Sequence, residues 1–388
     1  MSDESTTLET VEEPDVPGRR LRPRLWRFVR FSGEPAAIFT ASRLGMLLVA
    51  GGLAHVQHKA LQLYLTRWDS AWYLAVARTG YPHVIRAGVG LPAQSTLGFF
   101  PLLPLIIRLG VDVTGLSYVR VGLVVTFLAG LVGAILIWWL LYPTWGRLGA
   151  SQGTALVFFS PGAFVLSEVY TEGLLIALVA GALLALRGRH WAAAGVLAGL
   201  ATATEPLGIA AVVPCVVAAV YAIRLRREWR SLLAPLLSPV GIVAFFCFLW
   251  VRTGNPLAWY VTQRRGWQGG GLGSGIYHEV SGVLHTGFLH PDYAVKLTSL
   301  VTAIVLLVLF LRRPREASAV AYVFAVLFLA VLSPITGVSW RVLLCAFPLI
   351  AVAGARVRGG WFLAGLGASA LAMAAVAFVS MAGNSLTP

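Results

Sequence analysis

Residues 118–142 read YVRVGLVVTFLAGLVGAILIWWLLY, and no charged residue follows Arg120 until Arg147. At about 1.5 Å per residue, a helix over such a run is long enough to cross the roughly 30 Å hydrocarbon layer of a bilayer. Working outward, the pattern repeats. Apolar runs occupy about 36–56, 118–142, 152–166, 169–187, 191–204, 207–223, 232–252, 294–311, 317–333, 340–355 and 361–381. They predict an all-α, polytopic transmembrane helix bundle of about eleven spans. Composition agrees: the 388 residues are 58% hydrophobic and only 12% charged, with a mean hydropathy of +0.79, where soluble domains are about a quarter charged.

The net charge of +14 is not a nucleic-acid footprint, because the arginines are strung between apolar runs and form no single basic face. The only lysines are Lys59 and Lys296, and the only asparagines Asn255 and Asn384. That bias suggests a GC-rich bacterial genome, of the actinobacterial kind. Cys215, Cys247 and Cys345 lie inside apolar runs, so they are read as small apolar side chains and not as a disulfide framework.

Residues 1–33 read as a cytoplasmic tail. Asp3, Glu4, Glu9, Glu12, Glu13 and Asp15 make its acidic, disordered half, and Arg19, Arg20, Arg22, Arg24, Arg27 and Arg30 its basic half. The basic half holds the N-terminus inside and suits an anionic lipid surface. No secretory signal peptide is expected, since the first apolar run starts late and lacks a small-residue cleavage site. Residues 34–388 form the membrane domain. With the N-terminus inside, the short inner loops carry Arg147; Arg187 and Arg189; Arg224, Arg226, Arg227 and Arg230; Arg312, Arg313 and Arg315; Arg356 and Arg358. Every one is basic, as the positive-inside rule asks of an inner-membrane protein. Two long polar segments, about 57–117 and 253–293, fall outside. No inverted repeat relates the halves, which weighs against a secondary transporter.

Acidic groups are costly in membrane segments, so those that remain invite a functional reading. On this topology Asp69, Asp112, Glu168, Glu172, Glu205, Glu279 and Asp292 all lie at or near the outer face. Lys59, Arg67, Arg78, Arg252, Arg264, Arg265 and Arg341 share it. Asp69 lies in Arg67-Trp68-Asp69-Ser70-Ala71-Trp72-Tyr73, a stretch suited to an interfacial helix with aromatic walls. Its carboxylate fits a general base that takes a proton from a hydroxyl; a helix cap or a partner for Arg67 is the plainer alternative. Glu168 and Glu172 stand i,i+4 and would share a helical face, so a cation, a sugar hydroxyl or an Arg is expected beside them. Arg341, after Ser339-Trp340, fits bidentate phosphate binding or snorkelling. Arg264, Arg265 and Trp267 fit a phosphate grip and sugar stacking. Phe99-Phe100-Pro101 reads as an aromatic anchor before a kinked helix start, and Gly269–Gly275 as a lid. His55 and His58, with His278, His285 and His290, show no metal-ligand spacing, so neither metal nor cofactor is expected.

Taken together, Trp68-Asp69 with Tyr73 and Gly80-Tyr81-Pro82, then Phe99-Phe100-Pro101-Leu102-Leu103-Pro104, then Tyr170-Thr171-Glu172, and late Arg341 with Ala346-Phe347-Pro348-Leu349, resemble the PIG-V-type mannosyltransferases. These belong to the GT-C class of multi-spanning membrane glycosyltransferases. The resemblance runs from about residue 40 to about 350. It implies a GT-C-like domain that moves a sugar, mannose, with inversion from a polyprenyl-phosphate donor to a hydroxyl of a lipid, glycan or protein at the outer face. It implies Asp69 as the base or acceptor orienter, and Arg341 with Arg264 or Arg265 on the leaving phosphate. The residues themselves add Trp68, Tyr73, Glu168, Tyr170, Glu172 and Trp267 as candidate substrate contacts and Lys59 as a further cation for the donor phosphate. Many such relatives carry a basic residue where this chain has Glu205. Two other readings stay open: a transporter or flippase of lipid-linked sugars, for which Arg43 is the one clear mid-span charge, and a non-catalytic subunit of a glycosyltransferase complex.

Overall fold

Apolar runs leave the backbone no water to bond with, so each must satisfy its own N–H and C=O groups as a helix. The computed structural model describes residues 21–267, 273–286, 291–312, 316–333 and 337–382, and no strand occurs among them. Seventeen α-helices follow one another: α1 (Leu21–Val56), α2 (Leu61–Leu65), α3 (Asp69–Thr79), α4 (Leu102–Thr114), α5 (Tyr118–Phe158), α6 (Glu172–Arg187), α7 (Trp191–Thr202), α8 (Val212–Arg226), α9 (Leu233–Leu237), α10 (Val240–Thr253), α11 (Ala258–Gly266), α12 (Ser274–Thr286), α13 (Pro291–Leu311), α14 (Ala317–Leu332), α15 (Trp340–Cys345), α16 (Phe347–Arg356) and α17 (Gly359–Ala382).

Among the described residues, five stretches are long and apolar enough to cross a membrane: Ser32–Val56, Tyr118–Phe158, Pro206–Arg226, Trp229–Thr253 and Gly359–Ala382. Pro161–Ser167 and Glu172–Arg187 meet the same test only as a pair, bent by 106° in the manner of a broken span or a re-entrant loop, and Trp191–Thr202, Val295–Leu311, Ala317–Leu332 and Phe347–Arg356 are shorter apolar helices. All the apolar runs of the sequence are therefore helical, but their division differs. α5 holds one of them whole and the first part of the next. Gly146 sits inside it at φ 65°, ψ −174°, a conformation that side chains disfavour. There the chain folds back, for Trp138 Nε1 donates to Ser151 Oγ at 3.0 Å, while thirteen residues of straight helix would part them by about 20 Å. The run 152–166 is not one helix. It ends at Phe158 and resumes as a 3-10 helix over Pro161–Ser167.

Arg43 explains how that break is tolerated within the bundle. It does not snorkel. Its Nη2 donates to the Phe158 carbonyl at 3.0 Å. Its Nη1 donates to the Ala163 carbonyl at 2.6 Å and to Ser167 Oγ at 3.0 Å. These are the orphan acceptors that a helix end leaves. Arg43→Leu should destabilise the protein by about 1–3 kcal/mol for each carbonyl left bare. Thermal unfolding in detergent measures this, and an unchanged midpoint would refute the capping role.

Charges pair by side. Arg147 bonds Glu34 at 2.7 Å, Arg187 bonds Glu316 at 2.7 Å, and Arg189 bonds Glu228 at 2.5 Å. Each pair joins segments that the alternation of spans puts at the same end. Trp191 Nε1 also donates to Glu228, and together with Arg189 it holds that carboxyl below its ordinary range. At the other end the two long polar segments meet: Gly90 N donates to the Arg265 carbonyl at 2.7 Å, and Gln94 Nε2 to the Gly266 carbonyl at 3.2 Å. Both segments are folded, the first carrying α2 to α4 and the second α11 and α12. Of the expected tail, α1 takes in residues from Leu21 onward; Arg19, Arg20 and the acidic half lie outside the described residues. So do Arg313 and Arg315, and residues 269–272 of the expected lid.

Candidate active site

Asp69 opens α3, and the residue before it is strained. Trp68 has φ 51°, ψ −123°, a region that favours glycine and costs a side-chain residue about 1–3 kcal/mol. The Arg67 guanidinium lies over the Trp68 ring at 5.6 Å, and its Nη1 donates to the Met381 carbonyl. Val169 N donates to Ser70 Oγ at 3.2 Å, and Asp69 N to the Tyr170 hydroxyl at 3.3 Å. α3 is thereby stitched to the segment between the 3-10 helix and α6. Ser339 caps α15 through its side chain, and the α15 backbone runs against Gly162, where a Cβ would stand 2.1 Å from the Trp340 carbonyl oxygen. Only glycine permits that approach, and it carries Arg341 over the start of α6.

Arg341 is the centre of the cluster. Its Nη1 bonds Asp69 Oδ2 at 2.5 Å, its Nε bonds Glu172 Oε1, and its Nη2 lies 3.8 Å from Glu205 Oε2. The Tyr170 ring lies under the guanidinium at 4.8 Å. Side-chain exposure separates the partners: 28% for Asp69, 1% for Glu172 and 5% for Glu205. Asp69 is the partner that solvent can reach. Thr171 Oγ1 donates to Glu205 Oε2 at 2.6 Å and lies 3.3 Å from the Tyr73 hydroxyl. Glu168 is buried, and the charges of Arg341, Glu172, Asp69 and Arg67 all act on it. Glu168 Oε2, Glu172 Oε2 and Trp68 Nε1 have no hydrogen-bond partner among the described residues. All three atoms are buried.

A wall of rings adjoins the cluster. Trp72 stacks on Phe99 at 5.6 Å, Trp267 meets Phe99 at 5.7 Å and Trp72 at 5.9 Å, and Tyr73 meets Phe99 edge-on at 5.2 Å. Pro101 precedes α4 and Pro104 falls in its first turn, where proline is tolerated.

The structure thus brings together Asp69, Trp68, Tyr73, Glu168, Tyr170, Glu172, Trp267 and Arg341. Arg264 and Arg265 are exposed on α11, and Lys59 is exposed between α1 and α2; none forms an ion pair among the described residues. Three expectations change. Glu168 and Glu172 do not share a helical face, because Glu168 is extended at φ −109°, ψ 174° and α6 begins only at Glu172. Asp69 is neither the cap of α3, which is Trp68, nor left to pair with Arg67 alone. Arg341 is enclosed and does not snorkel; its nitrogens already face carboxylates, so no bidentate edge stands open. Asp112 is a solvated surface acid, while the side chains of Glu279, Asp292, His278 and His290 lie outside the described residues. No group of three metal-ligating side chains occurs among the described residues.

The chain shares its fold with ArnT of Cupriavidus metallidurans. The crystal structure of that protein bound to undecaprenyl phosphate aligns with TM-score 0.51 and 18% identity over 83% of this chain. This chain spans 60% of the length of that one. The apo structure of the same protein aligns with TM-score 0.47 and 16% identity, over 76% of this chain and 55% of that one. No family model and no curated protein matches the sequence. The likeness establishes the architecture, a polytopic bundle of membrane helices.

Proposed function

We propose that this chain is an integral-membrane glycosyltransferase. It transfers a sugar, mannose on the sequence resemblance, from a polyprenyl-phosphate carrier to a hydroxyl of a lipid, glycan or protein. The site lies at the outer face of the inner membrane and the N-terminus in the cytoplasm, as the basic inner loops support. The observation that carries the reading is the accessible Asp69 carboxylate, held by Arg341 beside an aromatic wall and unpartnered polar atoms. The undecaprenyl phosphate in the fold relative supports a polyprenyl carrier here.

The acceptor oxygen attacks the anomeric carbon, and the bond from that carbon to the phosphate oxygen breaks. The bonding electron pair leaves with the polyprenyl phosphate, and the hydroxyl proton passes to Asp69. Attack opposite the leaving group inverts the configuration. Before reaction Arg341 is balanced by carboxylates. As Asp69 takes the proton its charge vanishes, and Nη1 is left with positive charge to spare while the leaving phosphate gains negative charge. Such an interaction is stronger in the transition state than in the ground state, so it accelerates the step. Ground-state binding of the donor phosphate then falls to the other outer cations, Arg264, Arg265 and Lys59.

The test is the purified protein with polyprenyl-phosphate mannose and extracted membrane lipids as acceptor. Product formation is expected. Movement of the lipid-linked sugar across proteoliposomes without any glycosidic product would replace this reading by a flippase.

A further inference from the structure

Glu205 has no part in the chemistry just described, yet it is a buried acid within reach of the cluster's one guanidinium. The three nitrogens of Arg341 face three different carboxylates: Nε faces Glu172, Nη1 faces Asp69 and Nη2 faces Glu205. Two of these are buried and one is partly exposed. The buried pair fixes the plane of the guanidinium from behind, and the exposed one is the group to be aimed. Glu205 is itself fixed. It accepts from Thr171 Oγ1 at 2.6 Å, while Cys345 Sγ lies 3.6 Å from its other oxygen. Thr171 is tied in turn to the Tyr73 hydroxyl on α3, one helical turn from Asp69. A closed circuit results: Glu205, Thr171, Tyr73, along α3 to Asp69, then Arg341, and back to Glu205.

We infer that Glu205 is a positioning residue, which through Arg341 and through Thr171–Tyr73 sets the orientation of Asp69. A planar guanidinium is suited to this, since its donors keep fixed relative directions. A carboxylate held behind it acts on geometry and charge balance without touching substrate. The inference rests on the transferase reading and deepens it.

The experiment compares wild type, Glu205→Gln, Thr171→Val and Thr171→Ser with polyprenyl-phosphate mannose and extracted membrane lipids. Gln keeps the size and the acceptor for Thr171 but removes the charge that faces Nη2. Glu205→Gln should lower kcat about tenfold and leave the donor KM within about twofold, because misorientation of a base slows the chemical step without weakening the encounter. Thr171→Val should move kcat in the same direction, and Thr171→Ser, which keeps the hydroxyl, should restore it. A purely structural role would instead lower the yield of folded protein and leave kcat per active molecule unchanged; that outcome overturns the inference. A raised donor KM at unchanged kcat overturns it too, by placing Glu205 in substrate binding. An active wild type with an unaffected Glu205→Gln variant refutes the positioning role alone, whereas a wild type without transfer removes the transferase reading and this inference with it.

Discussion

Asp69→Asn is expected to abolish transfer, by about 10²–10⁴-fold in kcat, while expression and thermal stability stay close to wild type. The two halves of that expectation have separate causes. Asn is nearly isosteric and its amide oxygen can still accept from Arg341 Nη1, so the contact at 2.5 Å survives in form. Arg341 keeps its two buried partners, Glu172 and Glu205. Asp69 is also partly exposed, and accessible ion pairs contribute little to stability. What Asn cannot do is take a proton from the acceptor hydroxyl, nor release positive charge at Arg341 as the phosphate departs. The measurement is initial rate against donor concentration, alongside detergent unfolding of the same preparations. Full activity in the folded variant would remove Asp69 from the chemistry.

Much of this arrangement was legible in the sequence, for physical reasons that differ by feature. The spans were legible because uninterrupted apolar residues admit one solution in lipid. The acidic cluster was legible because carboxylates are scarce in such a chain, so Asp69, Glu168, Glu172 and Glu205 stood out by cost alone. Five features were not. The break between Phe158 and Pro161 is stabilised by Arg43 from a helix more than a hundred residues earlier, and no local pattern reports a partner that distant. The i,i+4 spacing of Glu168 and Glu172 implied a shared face only if the segment were helical; Glu168 is extended. Arg341 read as an open phosphate clamp because the sequence shows that it is cationic, but not that Gly162 lets its backbone close onto three acids. The strain at Trp68 was also hidden, since nothing in a tryptophan signals a positive φ. The role of Glu205 needed the third dimension too, although its cost within an apolar stretch was a usable signal.

The second large effect concerns Arg341 itself. Arg341→Met should be inactive and strongly destabilised, by about 3–5 kcal/mol, because it strips the cation from Glu172 and Glu205 within the protein. The two losses can be separated. In Arg341→Met combined with Glu172→Gln and Glu205→Gln the two buried acids that face the guanidinium lose their charge together with it, which removes the main cost of the single change. The triple variant should therefore recover most of the wild-type unfolding midpoint while remaining without transfer activity. Because these side chains touch, the single effects will not add, and the non-additivity is itself the measure of the network. Arg341→Lys probes geometry at constant charge. An ammonium is a compact point charge and cannot present three nitrogens in a fixed plane to three carboxylates. It should restore stability better than activity. If Arg341→Met alone unfolds at the wild-type midpoint, the clamp does not hold the fold; if the triple variant regains transfer, the guanidinium has no part in the reaction.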